Sequence, residues 1–196
     1  NIREMKIIGT FLIAFWMYED GVATIVRMAA KIASSLGFAA SDIITAILMV
    51  QFIGFPAALG YNWFAKKIGT KNAVLVAILG YVVITFLGYL MTDITHFYIL
   101  AALIGLFQGG IQSLSRSLFT RLVPPNKEAE FFGFYNMLGK FAAVVGPILV
   151  GWITVLTGNP RAGILSIVVL FIFGGLLLSR VDFKEGERIA LEFGEN

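Results

Sequence analysis

The sequence predicts an all-α integral membrane protein with six transmembrane helices. Of its 196 residues, 58% are hydrophobic and only 14% are charged, and the mean hydropathy is +0.86. Soluble domains are closer to half apolar and a quarter charged, so this chain has more apolar surface than one water-soluble core can bury. It has no alternating pattern of the kind that builds a transmembrane β-barrel, which leaves helices as the spanning elements.

The six predicted spans each contain the roughly 20 mainly apolar residues that cross a bilayer. They cover residues 5–35, 42–65, 73–92, 96–119, 131–157 and 161–180. The segments between them carry turn and breaker residues, and Pro124 and Pro125 mark the longest internal loop. The predicted organisation is one transmembrane domain over 1–180, followed by a charged tail over 181–196.

The distribution of basic residues predicts the orientation in the membrane. Eleven of the fifteen Lys and Arg residues fall on one side: Arg3, Lys6, Lys66, Lys67, Lys71, Arg116, Arg121, Lys127, Arg180, Lys184 and Arg188. Arg161 is alone on the other side, and the remaining three lie within spans. The positive-inside rule then puts both termini, and the tail, in the cytoplasm. The net charge of +3 suits lipid headgroups rather than nucleic acid.

The residue types argue against an enzyme. The chain has no Cys and a single His, which excludes disulfides and thiolate metal sites. It has neither an HExxH nor a GxSxG motif, and its carboxylates do not cluster as metal ligands do. We therefore expect no catalytic residues, no metal and no cofactor.

Two heptapeptides indicate an internal repeat. GVATIVR (21–27) in the first span and GIQSLSR (110–116) in the fourth share the pattern G-[VI]-x-[ST]-[IL]-x-R, 89 residues apart. The same offset places Gln51 and Phe52 onto Lys140 and Phe141. Because the first and fourth spans run in opposite directions, the two triplets would form an inverted 3+3 repeat, as in each half of a major facilitator transporter. The alternative is coincidence among small and apolar residues.

A longer motif resembles a known family. The run GLFQGGIQSLSRSLFTRLVPPNKEAEFFGFYNMLGK (105–140) closely resembles the vacuole effluxer-like family, the autophagy-related permeases of the major facilitator superfamily. FLIAFWMYEDGVATI (11–25) is similar to the seventh helix of that family. The loop NWFAKKIGTK (62–71) resembles the superfamily's gating loop, but Asn62 stands for its Gly and Lys66 for its Asp. The resemblance implies twelve helices, of which this chain matches helices seven to twelve. It therefore implies a six-helix N-terminal half as partner.

Ionisable and amide side chains within the spans are the candidate substrate and coupling residues: Glu19, Asp20, Gln51, Gln108, Gln112 and Lys140. A charge deep in hydrocarbon costs on the order of 3 kcal/mol, so it should face a cavity or a partner. The resemblance implies that the first, second, fourth and fifth spans line such a cavity. The alternative for Lys140 is a structural ion pair with Glu19 or Asp20.

Three further basic residues are candidates for gating or for the outer membrane interface: Arg27, Lys31 and Arg116. Asp20, Thr24, Arg27 and Lys31 share one helical face. Arg27 and Lys31 fall near the outer interface, where long side chains can extend to water.

The function that these features favour is half of a secondary transporter. It would move a small polar solute by alternating access. The resemblance suggests amino acid efflux, and the charged residues within the spans suggest proton coupling, since an ion pair that breaks on protonation is one way to couple transport. The membrane would be the cell membrane in a bacterium and a vacuolar-type membrane in a eukaryote. Two alternatives remain open: a non-transporting receptor or scaffold, and a six-helix oligomeric channel.

Overall fold

The computed structural model describes residues 2–194, and the regular structure of this range is entirely helical. It contains nine helices: α1 (Ile2–Ser35), α2 (Ala40–Ile68), α3 (Thr70–Leu90), α4 (Ile94–Leu122), α5 (Glu128–Phe141), α6 (Val145–Thr157), α7 (Pro160–Leu165), α8 (Ile167–Arg180) and α9 (Phe183–Gly194). The predicted all-α class is confirmed. Residue 1 of the predicted domain and residues 195–196 of the predicted tail lie outside the described range.

Five segments of the described chain are long and apolar enough to cross a membrane: α2, α3, α4, the pair α5–α6 and the pair α7–α8. The protein is therefore an integral membrane protein. Helix α1 is 34 residues long but is not one of the five. Its ionisable side chains, including Glu19, Asp20, Arg27 and Lys31, lower its hydropathy.

Side chains at the helix starts supply hydrogen-bond acceptors that the backbone lacks there. Asp93 precedes α4 and its carboxylate accepts a hydrogen bond from the His96 backbone N–H at 3.0 Å. At the start of α7, the side-chain oxygen of Asn159 accepts a hydrogen bond from the Arg161 backbone N–H at 2.9 Å. Pro160 occupies the first helical position. These are the residue types that favour helix initiation.

Helices α1 and α4 form the centre of the bundle. Helix α4 lies between α2 and α3, while α1 packs along α8 and also contacts α4. A side chain on Gly105 of α4 would meet the Val50 carbonyl oxygen of α2 at 3.0 Å, so glycine permits this close approach. Elsewhere in the core, the buried rings of Tyr81 and Phe171 stack with centroids 5.6 Å apart.

Each of the last two predicted spans contains two helices. The segment predicted at 131–157 is interrupted at residues 142–144, where Ala143 has a φ of +71°. The segment predicted at 161–180 divides at Ser166, between α7 and α8, and the Ser166 hydroxyl donates to the Gly163 carbonyl at 2.5 Å. Interrupted helices at membrane depth require partners for the freed backbone groups.

The tail contains α9, which packs against α1 and α4. The Phe183 ring meets the Phe11 ring edge-on at 5.8 Å, and Ile189 and Ala190 are buried. Helix α9 therefore covers one end of the bundle.

Candidate functional site: a polar cavity between α1, α4 and α5

A cavity of about 710 Å³ lies between three helices of the bundle. Its lining comprises Phe15 and Glu19 from α1; Gly109, Gln112, Ser113 and Arg116 from α4; and Tyr135, Asn136, Gly139 and Lys140 from α5. On each helix these positions are spaced by about one turn, so each helix presents one face to the cavity. Gln112, Arg116, Asn136 and Lys140 are exposed, which shows that the cavity is open on one side.

The three charged residues of the cavity come from three different helices. Glu19, Arg116 and Lys140 all line it, but none of the ion pairs within residues 2–194 joins two of them. The Gln112 side chain lies next to the Glu19 carboxylate. The other Glu19 oxygen, Oε2, is buried and has no hydrogen-bond partner in the described part of the chain. The cavity thus presents one carboxylate and two cations that are not neutralised by contact with one another.

Aromatic rings form the inner wall of the cavity. Tyr135 of α5 stacks on Phe15 of α1, with centroids 4.2 Å apart, and on Phe119 of α4, at 4.9 Å. Phe15 and Phe119 are both buried. Stacking of this kind joins α1, α4 and α5 at the level of the charged residues and gives the cavity an apolar side.

Asp20 lies outside this cavity and is bound to the start of α6. It is 1% exposed and accepts hydrogen bonds from the backbone N–H groups of Val145, at 2.8 Å, and Gly146, at 2.9 Å. The Thr24 hydroxyl donates to the same carboxylate at 3.1 Å. The first N–H groups of a helix have no intrahelical acceptor, and negative charge is favoured there. Asp20 therefore caps α6 from a different helix.

The end of α5, on the other side of the interruption at residues 142–144, is also hydrogen-bonded to α1. Trp16 donates its indole N–H to the Phe141 carbonyl at the end of α5, at 3.4 Å. At the start of α6, Gly146 leaves no room for a side chain, because a Cβ there would collide with the Thr24 hydroxyl and lie 2.8 Å from Asp20 Oδ1. Helix α1 thus holds both ends of the interruption next to Lys140.

The three predicted glutamines lie along the neighbouring groove. Gln51, Gln108 and Gln112 line a second cavity, of about 180 Å³, between α2 and α4. Gln112 borders both cavities, and Gln108 Oε1 is buried without a hydrogen-bond partner within residues 2–194. The polar surface therefore continues from the first cavity onto α2.

The structure brings some of the predicted site residues together and separates others. Arg116 lines the main cavity with Glu19, Gln112 and Lys140, whereas Arg27 and Lys31 are exposed further along α1 and line neither cavity.

Sequence reasoning missed several lining residues: Phe15, Ser113, Tyr135, Asn136 and Gly139. A signal existed for Phe15 and Asn136, which precede Glu19 and Lys140 by one helical turn and so share their faces.

A bundle of apolar helices around an open polar cavity with ionisable residues is the architecture of a membrane transporter. The chain belongs to the Vacuole effluxer Atg22 like family, whose model matches residues 1–191. This confirms the family predicted from the motif at 105–140.

Three relatives illustrate the similarity. The chain is 37% identical over 181 residues to an uncharacterized MFS-type transporter, YxiO, of Bacillus subtilis, with 92% of this chain and 42% of that protein covered. It is 30% identical to Autophagy-related protein 22 of Coccidioides immitis, covering 98% of this chain and 35% of the relative. For Autophagy-related protein 22 of Cryptococcus neoformans the identity is 29%, and the coverages are 100% and 37%. The chain therefore spans less than half the length of these relatives.

Proposed function

We propose that this chain forms the C-terminal six-helix half of a secondary transporter, which moves a small polar solute by alternating access. In this proposal α1 is the first span, and the pairs α5–α6 and α7–α8 each count as one. The observation that carries the proposal is the open cavity lined by Glu19, Arg116 and Lys140. Charged groups at membrane depth are costly unless they face water, a solute or a partner.

The packing pattern supports an inverted 3+3 repeat. Helix α1 packs along α8 as α4 packs along α3, which is the correspondence expected if the second triplet repeats the first. The second member of each triplet is the least buried of the five apolar segments. In α2 and α5–α6, 6% and 11% of the residues in the apolar stretch are buried, against 39% to 44% in α3, α4 and α7–α8. Gln51 and Lys140, which the repeat relates, line cavities on either side of Gln112.

The partner in this proposal is a second six-helix half. A polar cavity that is open on one side cannot face hydrocarbon without a large cost. The weakly buried α5 lines this cavity and α2 lines the adjoining smaller one, so a facing half that packs on both helices would close them. Alternating access would then be a rocking of the two halves about the solute.

The solute class that the lining favours is a zwitterion such as an amino acid. Arg116 and Lys140 supply two cations for a carboxylate, and Glu19 supplies an acceptor for an ammonium group. The Phe15 and Tyr135 rings offer an apolar surface for a side chain. The volume of about 710 Å³ lies within the usual range of small-molecule sites.

We assign proton coupling to Glu19 rather than to Asp20. Glu19 Oε2 is buried without a partner, so protonation removes an uncompensated charge. The charged and titratable groups around it in the cavity are Arg116, Tyr135 and Lys140. Asp20 lines neither cavity, and its carboxylate is occupied by three hydrogen-bond donors at the start of α6 and on α1. Both termini are assigned to the cytoplasm, with the chain in the cell membrane of a bacterium or a vacuolar-type membrane of a eukaryote.

The test measures transport of radiolabelled amino acids into liposomes. It uses the full-length protein, which in this proposal comprises this chain and the second six-helix half. We expect Lys140→Met to reduce counterflow about tenfold or more, because a charge-assisted contact with the solute is lost. Glu19→Gln should abolish uptake driven by a pH gradient, since an amide does not titrate. Lys31→Met is the matched control, because Lys31 lies on α1 outside the cavity, and it should transport normally.

Three results would contradict the proposal. Full activity of both Lys140→Met and Glu19→Gln would show that the cavity is not the solute site. Solute flux through the 196-residue chain without an added partner would favour the oligomeric channel. Saturable binding without any flux would favour a receptor.

A further inference from the structure

A basic cavity lies near one end of the bundle, away from the solute cavity. It encloses about 520 Å³ where the start of α3, the end of α4 and the corner between α8 and α9 meet. It is lined by residues 69–72, by Leu118 and Arg121, and by residues 179–184. The residues come from three separate parts of the chain, so only the tertiary fold assembles this cavity.

Two of its four cations are held in place by the protein. Lys71 donates to the Ser179 carbonyl at 2.7 Å and to the Val181 carbonyl at 2.9 Å, at the end of α8. Arg121 donates to the Thr70 hydroxyl at 3.3 Å. These bonds fix both charges at the cavity wall without neutralising either, because carbonyl and hydroxyl oxygens carry no net charge.

The other two cations have no partner within the described residues. Arg180 and Lys184 line the cavity, are exposed, and form neither an ion pair nor a hydrogen bond within residues 2–194. The one carboxylate of the lining, Asp182, accepts the Glu185 backbone N–H at 3.1 Å. Its carboxylate therefore caps the start of α9 and forms no ion pair with a cation of the cavity within residues 2–194. The cavity keeps a surplus of positive charge.

The grouping of four cations in this cavity is not explained by the general excess of basic residues at one membrane face. Lys66 and Lys67 lie in the last turn of α2, only a few residues before Lys71, but do not line the cavity, and Lys67 lies over the Trp63 ring at 3.7 Å. Within the cavity, Leu118, Val181 and Phe183 place apolar surface beside the cations. A site with cations next to apolar groups, at the end of apolar spans, matches a lipid headgroup with its attached chains.

We propose that this cavity binds a phosphate group, contributed by an anionic phospholipid of the leaflet that contacts this end of the bundle. Arg121 and Arg180 contact the phosphate oxygens through guanidinium groups, which suit planar bidentate recognition. Lys184 supplies a point charge on the open side. Bound lipid would join α3, α4 and the α8–α9 corner.

The test measures thermal stabilisation of the purified full-length protein as phosphatidylglycerol is titrated in, against phosphatidylcholine as the neutral lipid. Arg180→Gln with Lys184→Gln removes the two unpartnered charges. Lys66→Gln with Lys127→Gln makes the same charge change outside the cavity. We expect the apparent affinity for phosphatidylglycerol to fall about tenfold in the first variant and to stay within about twofold of the parent in the second.

Further measurements distinguish a phospholipid from a soluble phosphate as the ligand and control for misfolding of the variants. Stabilisation by inorganic phosphate or glycerol 3-phosphate that is lost in the same variant supports the phosphate site and assigns it to a soluble ligand. The single variant Lys184→Gln, checked for normal stability in phosphatidylcholine, should show a partial loss. Equal losses in the cavity and control variants, or no preference for anionic lipid in the parent, would overturn the proposal.

Discussion

Glu19 and Asp20 are consecutive residues of α1, yet the bundle surrounds them in opposite ways. Glu19 lines the open cavity with one oxygen unpartnered in the described structure, whereas Asp20 is buried and accepts three hydrogen bonds. Successive residues of a helix point about 100° apart, which is enough to turn one side chain to the open cavity and the other to α6. Identical chemistry therefore serves two purposes at neighbouring positions.

Removing the Asp20 carboxylate should destabilise the protein, while removing that of Glu19 should not. Asp20→Ala leaves the Val145 and Gly146 N–H groups without acceptors, and we expect a loss of about 3 kcal/mol in the free energy of unfolding. Glu19→Ala removes a carboxylate that has an unpartnered oxygen and should cost less than about 1 kcal/mol. Thermal unfolding of both variants in one detergent checks the order. A larger loss for Glu19→Ala would contradict the capping role of Asp20.

At the scale of elements, the interruption between α5 and α6 is the feature on which the cavity depends. Lys140 and Gly139 lie in the last turn of α5 and line the cavity, while α6 begins only after Ala143, which has a positive φ. A non-glycine residue in that conformation is strained and persists because its surroundings hold it. Those surroundings are Trp16 and Asp20 of α1.

Two glycines of α6 provide a matched test of this packing. Gly146→Ala would force a Cβ against Thr24 and Asp20, and we expect it to cost about 1 to 3 kcal/mol of stability. Gly151→Ala, on the same helix, meets nothing within 4 Å and should be neutral or stabilise by up to about 1 kcal/mol. Thermal unfolding of the two variants compares them directly. Equal effects would show that α6 does not pack closely on α1.

At the scale of the whole molecule, the membrane topology depends on whether α1 crosses the bilayer. Five segments qualify by length and composition and α1 does not, but α1 lies at the centre of the bundle, in contact with α4 and α8. A central helix surrounded by spanning helices can carry ionisable side chains, because neighbours and the cavity shield them from lipid. We therefore expect α1 to span.

Labelling of single cysteines tests this topology, since the chain contains no native Cys. Arg3→Cys, Lys66→Cys and Asn126→Cys should react with an impermeant reagent from one side of the membrane, and Ala39→Cys and Thr95→Cys from the other. The positive-inside rule assigns the first group to the cytoplasm. Reaction of positions 3 and 39 from the same side would exclude a spanning α1.

Hydropathy and one long motif were enough to predict the all-α membrane class and the family. Hydropathy and helical spacing are local properties, and a run of apolar residues in lipid must form a helix because its backbone has no other partners. The same local reasoning identified Glu19, Gln112, Arg116 and Lys140 as costly groups, because ionisable and amide side chains are rare in apolar spans.

Which of these groups lie together depends on how distant helices pack. Asp20 and Val145 are joined by a hydrogen bond across 125 positions of sequence, and no local pattern in either segment shows that one will cap the other. The interruption after Phe141, the stacking of Tyr135 on Phe15 and the basic cavity at Arg180 likewise depend on contacts between distant helices. Spacing along one helix defines a face, but the neighbours that pack on that face decide whether it borders a cavity or another helix.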